Sequence, residues 1–126
     1  MSALDVLYVE DSPSNALVIQ RVCEHMGLSL RVVGNASDAI ASLLETPPRL
    51  ILMDISLPDV DGLAATRLVR SLPPPLGSLP IIAITASAMV GDRERCLAAG
   101  CDEYLAKPFP VRALVDILRA YLQQES

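Results

Sequence analysis

The chain has 126 residues, 52% of them hydrophobic and 20% charged, with a formal net charge of −5. That length suits one domain spanning 1–126, with a core over about residues 3–122, able to bury roughly two thirds of its unfolded surface without disulfides or structural metal. The negative balance and the absence of any basic run argue against a nucleic-acid surface; no apolar run nears the roughly 20 residues of a membrane span, and no leader-like N-terminus is present, so a cytoplasmic protein is expected.

Leu4 to Val9 reads as a buried strand, and Glu10-Asp11 follow it directly. Ser12 is a good helix cap and Pro13 a good first helical residue; Ile19, Val22, Cys23 and Met26 then keep helical spacing up to Gly27. Leu28 to Val33 alternates apolar and polar residues as a second strand. A short helix from Ala36 to Leu44, capped by Asn35 or Ser37, is stopped by Pro47-Pro48. Leu50 to Met53 is a third strand ending in Asp54, and the loop Ile55 to Asp61 closes on an Asp-Gly pair whose Asp61 caps a helix over Leu63 to Leu72. The proline-rich segment 73–80 is expected to be neither helix nor inner strand, only a connection. A strand Ile81 to Ile84 ending in Thr85, a helix Asp92 to Ala99 stopped by Gly100, a strand Glu103 to Ala106 ending in Lys107, and a helix Val111 to Leu122 complete the chain.

Five strand–helix units with right-handed crossovers predict a doubly wound α/β fold with helices on both faces. The expected sheet is five-stranded, parallel and flavodoxin-like, in the order 2-1-3-4-5. Ligands of such sheets bind beyond the carboxyl ends of the central strands, where Glu10, Asp11 and Asp54 fall.

Carboxylates converging at a strand edge repel one another, and a hard cation relieves that repulsion. Mg²⁺ suits such a cluster because it prefers oxygen ligands and works with one or two carboxylates plus a phosphate oxygen. Asp54 is then placed to attack phosphorus in line and become an acyl phosphate. Lys107, the only lysine in the chain, offers a compact cation for a phosphoryl oxygen, and Thr85 offers a hydroxyl to another. The Lys107–Pro108 bond is free to be cis. Ser56 and Ser87, two positions beyond Asp54 and Thr85, are expected to control water access to an acyl phosphate.

The pair in Tyr-Val-Glu-Asp, the segment 53–62 running Met-Asp-Ile-Ser-Leu-Pro-Asp-Val-Asp-Gly, Thr85-Ala86, and Tyr104-Leu105-Ala106-Lys107-Pro108 give the chain its family likeness. Across nearly its whole length it resembles a response-regulator receiver domain of two-component signalling. The resemblance implies that Asp54 accepts a phosphoryl group from a phosphohistidine on a sensor histidine kinase or a histidine phosphotransfer protein. It also implies that Asp11, Asp54 and the Ser56 backbone carbonyl bind Mg²⁺, with Glu10 acting through water. Thr85 and Tyr104 match the family's switch pair, and a downstream protein would bind at the fourth helix, fifth strand and fifth helix. Either a monomer or a phosphorylation-dependent dimer fits. Such a domain assists its own phosphorylation and dephosphorylation without being a turnover enzyme. The 91–100 segment resembles stand-alone cell-cycle regulators and hybrid-kinase receivers alike.

The competing enzyme reading is a Mg²⁺-dependent phosphatase of the haloacid-dehalogenase type, which also uses a strand-end Asp. That family places an acid two residues after its nucleophile, where this chain has Ser56. The three cysteines, Cys23, Cys96 and Cys101, lack metal-binding spacing and are read as buried, reduced hydrophobes. His25 is expected at the surface.

Overall fold

The computed structural model describes residues 4–55, 61–85 and 91–122. Strands β1 (Leu4–Val9), β2 (Leu30–Val33), β3 (Pro48–Asp54), β4 (Ile81–Thr85) and β5 (Glu103–Ala106) alternate with helices α1 (Pro13–Met26), α2 (Ala36–Glu45), α3 (Gly62–Arg70), α4 (Asp92–Ala99) and α5 (Val111–Leu122). All strand pairings are parallel, and the sheet order is β2-β1-β3-β4-β5, as the alternation of elements predicts.

Side-chain alternation along the strands splits the core in two. Val6, Tyr8, Leu50, Leu52, Ile82, Ile84 and Leu105 face α1 and α5, which contribute Ile19, Cys23, Leu114 and Leu118. Leu7, Val9, Ile51, Met53, Ile81 and Ala83 face the opposite layer, where α2, α3 and α4 supply Leu43, Val69 and Cys96. The three inner strands are almost wholly buried. Their continuous aliphatic sequence reflects coverage on both faces.

Several boundaries differ from the sequence reading, with α2, β3 and β4 each running one residue further, to Glu45, Asp54 and Thr85. β2 begins at Leu30, because the backbone N–H groups of Gly27 and Leu28 close α1 on Glu24 and Cys23 carbonyls and the N–H of Ser29 goes to the Asp5 side chain before the ladder starts. β3 begins two residues early: Pro48 pairs with Leu4 at the very start of the strand, where a missing N–H costs little. α3 runs from Gly62 and ends at Arg70, leaving Ser71 and Leu72 in a closing turn. The proline-rich connection contains a single 3-10 turn at Leu76–Ser78, short enough to sit between prolines without needing their N–H groups.

Local capping follows the sequence closely. The Ser12 hydroxyl accepts from Asn15 N at 3.4 Å, Asn35 Oδ1 from Asp38 N at 2.8 Å, and Asp61 Oδ1 from Ala64 N at 2.8 Å. Asn35, not Ser37, therefore caps α2. The three cysteines are buried and unpaired as thiols, and His25 is exposed.

Candidate functional site

The strand ends bring the predicted residues to one edge of the sheet. Glu10 follows β1 and continues its pairing, its N–H donating to Val33 O at 2.8 Å. Asp54 is the last residue of β3 and lies opposite Ile84. Thr85 ends β4, and Lys107 N donates to the Thr85 carbonyl at 2.7 Å just past β5. Glu10, Asp54 and Thr85 are 3%, 6% and 7% exposed, whereas Asp11 is open to solvent.

One carboxylate oxygen from each of Glu10, Asp11 and Asp54 lies within 4.8 Å of the other two. That spacing and an all-oxygen donor set fit a hard divalent cation. Gly62 holds the cluster's far wall: its N–H donates to Ile55 O at 2.6 Å, and any Cβ on it would fall on the Asp54 carbonyl. This close approach explains the Asp61-Gly62 pair at the start of α3. Ser56 and Ser87 lie outside the described residues.

Lys107 supplies the countercharge. Its Nζ lies 3.3 Å from Glu10 Oε1, and the Lys107–Pro108 bond is cis. The same oxygen accepts from the Tyr8 hydroxyl at 2.9 Å, while Glu10 Oε2 accepts from Ser12 N at 3.2 Å. Burial works to raise the Glu10 pKa; hydrogen bonds with Tyr8, Asp54 and Ser12 and the charge of Lys107 outweigh it, so the carboxyl sits below its ordinary value. Tyr8 is pushed well above the ordinary phenol range by burial and by the Glu10 charge. Its hydroxyl therefore remains a donor.

Sequence reasoning missed Tyr8. The signal was present in the strand period: residues 8 and 10 point to the same face, so an aromatic two positions before a buried acid sits directly beneath it.

Thr85 and Tyr104 belong to the other face. Tyr104 pairs opposite Ala83, one pleat from Thr85, and both line a small cavity of about 120 Å³ with Ile55, Leu63, Asp92 and Cys96. Asp92 is buried at the start of α4 and forms an ion pair with Arg95, which lines the same cavity. Burial, then the Asp92 charge, raises the Tyr104 pKa.

Comparison with known proteins places this geometry in context. A family model described as a response regulator receiver domain matches residues 6–119. The signal transduction histidine-protein kinase BarA of Escherichia coli is 38% identical over 94% of this chain, which spans only 13% of that kinase. The polar-differentiation response regulator DivK of Brucella anthropi is 37% identical over 93% of this chain and 94% of its own length. Among solved structures, the receiver domain of sensor histidine kinase PA1611 from Pseudomonas aeruginosa superposes with a TM-score of 0.85 at 40% identity, covering 98% of this chain and all of that one. That crystal structure has a magnesium ion coordinated in its active site cleft.

Proposed function

The chain belongs to the response regulator receiver family of two-component signalling, and from that premise we propose that Asp54 is its phosphoacceptor. The observation that carries the reading is the convergence of Glu10, Asp11 and Asp54 within 4.8 Å beside the Lys107 ammonium. The family match gives no support to the haloacid-dehalogenase alternative.

Asp11 and Asp54, with the Ser56 backbone carbonyl, are the residues that would hold Mg²⁺, and Glu10 would support it through water. Bound there, Mg²⁺ would neutralise charge shared between the acceptor carboxylate and the incoming phosphoryl oxygens. The Asp54 carboxylate attacks phosphorus in line, the bond to the donor nitrogen breaks, and the phosphoryl group remains as an acyl phosphate. Lys107 passes from Glu10 to a phosphoryl oxygen, and the Thr85 hydroxyl donates to another. Movement of Thr85 toward the phosphate empties its side of the 120 Å³ cavity, and the Tyr104 ring turns inward to fill it. The surface of α4, β5 and α5 changes shape as a result, which supports a downstream partner there.

The phosphoryl donor is proposed to be a phosphohistidine on a sensor kinase or phosphotransfer protein. No helix among the described residues is long and apolar enough to cross a membrane. Incubation with acetyl phosphate and Mg²⁺ followed by intact mass measurement tests the acceptor: the wild type gains a phosphate-mass adduct and Asp54→Ala does not. An adduct of equal yield on Asp54→Ala would place the acceptor elsewhere.

A further inference from the structure

Two side-chain donors, Tyr8 and Lys107, meet on one oxygen of Glu10. The Tyr8 hydroxyl donates to Oε1 at 2.9 Å and Lys107 Nζ approaches the same atom at 3.3 Å. Their situations differ. Tyr8 is fully buried one residue before the end of β1, in the core cluster that holds Leu52, Ile84 and the α1 residue Ile19, so its hydroxyl is carried by a strand the sheet holds in place. Lys107 is about a quarter exposed at the end of β5, on a flexible stem.

A carboxylate that leaned only on Lys107 would lose its partner whenever the lysine turned to a phosphoryl oxygen. Its Oε2 would still accept from Ser12 N, but Oε1, the oxygen Lys107 had held, would be left buried without that donor. A donor from the core removes that conflict. We propose that Tyr8 is a positioning residue: its hydroxyl fixes the Glu10 carboxylate toward the cation site independently of Lys107, leaving the lysine free to serve the phosphoryl group. The proposal rests on the acceptor reading for the use of Lys107. Its effect on the carboxylate cluster is present in the unphosphorylated protein.

The geometry permits a narrow test. Tyr8→Phe removes one oxygen and keeps the ring that packs the core, and a thermal unfolding midpoint in Mg²⁺-free buffer checks that the fold survives. Calorimetric titration of unphosphorylated protein with Mg²⁺ should show affinity reduced roughly tenfold, the lower end of what loss of an outer-shell partner costs. In a Glu10→Gln background the same Tyr8→Phe change should move the affinity by less than about twofold, because Tyr8 acts through the Glu10 charge. An equal loss in both backgrounds would mean a merely structural role and overturn the proposal.

A second measurement needs no change at Tyr8. A phenolic proton buried against a carboxylate exchanges slowly and resonates downfield, so the wild-type proton spectrum should carry a Tyr8 hydroxyl signal that moves upfield in Glu10→Gln. Absence of that signal would also overturn the proposal. Failure of acetyl phosphate to modify the wild type would remove the acceptor reading and leave the Mg²⁺ affinities to decide the role of Tyr8.

Discussion

A single oxygen, Glu10 Oε1, gathers the two donors on which the site's charge balance depends. Glu10 is buried and ionised below its ordinary pKa. Its contribution to stability is therefore complete above the unfolded carboxyl range and is lost as pH falls through the lower, folded value. Glu10→Gln should flatten the acid limb of a plot of unfolding free energy against pH, and an unchanged acid limb would contradict the pKa direction. Lys107 is the countercharge that the proposed transfer borrows. Lys107→Ala is expected to slow modification by acetyl phosphate by roughly tenfold or more while leaving Asp54 competent, because stabilisation of charge in the transferring group is lost and the nucleophile is not. A mass time course of adduct formation measures it. At this scale the sequence exposed Glu10, Asp11, Asp54, Thr85 and Lys107, because acids, a lone lysine and a hydroxyl at strand ends are conspicuous. Tyr8 was hidden because a tyrosine inside an apolar run reads as core, and its hydroxyl gains meaning only from the acid two residues on.

Elements are held in place by contacts that leave little trace in a linear pattern. Arg70, the last residue of α3, donates through Nε to Gly100 O at 2.8 Å, through one terminal nitrogen to Gly77 O at 3.0 Å and Leu79 O at 2.7 Å, and through the other to Asp102 at 2.9 Å. One side chain thus satisfies three carbonyls of the proline-rich connection and the end of α4. Asp102 in turn accepts from the first N–H of β4. Arg70→Met keeps the stem and removes the donors, and should lower unfolding stability by about 2–4 kcal/mol in a denaturant titration. A loss under about 0.5 kcal/mol would show that water replaces the arginine without penalty. Gly62 is the second such position, pressed against the Asp54 carbonyl at the start of α3. Gly62→Ala must push α3 from the strand end, at a cost of about 1–3 kcal/mol, and should weaken Mg²⁺ binding along with stability. The strand and helix order was legible because each run carries its own caps and stops. The boundaries at Leu30, Pro48 and Arg70 were not, since they depend on where a neighbouring strand or carbonyl lies in space. The Arg70 hub joins residues up to 32 positions apart, so no local pattern announces it.

Across the whole molecule, the sheet puts the carboxylate cluster and the Thr85–Tyr104 pair on opposite faces. Tyr8, Glu10, Asp54 and Lys107 share the parity of the strand residues that face α1 and α5, whereas Thr85 and Tyr104 share that of the residues facing α3 and α4. On the proposed reading, a change at the carboxylate cluster would reach the α4–β5 surface through the strand ends, by way of Thr85 and the cavity that Thr85 and Tyr104 both line. This division has a thermodynamic consequence. Three carboxyl groups within 4.8 Å oppose one another's full ionisation when no cation is present, a load that the Glu10–Asp54 hydrogen bond relieves only in part and that the unfolded chain does not carry. Asp54→Asn keeps the shape and removes one ionisable carboxyl, and should raise unfolding stability in Mg²⁺-free buffer by about 1 kcal/mol. A ligand that binds only the folded state adds RT ln(1 + [L]/Kd), so Mg²⁺ at about ten times its Kd should stabilise the wild type by about 1.4 kcal/mol. Asp54→Asn should lose most of that increment. Paired thermal melts with and without Mg²⁺ would show the two curves crossing, the variant more stable without the cation and the wild type gaining with it. Equal Mg²⁺ increments in both proteins would separate Asp54 from the cation site and leave Glu10 and Asp11 to account for it.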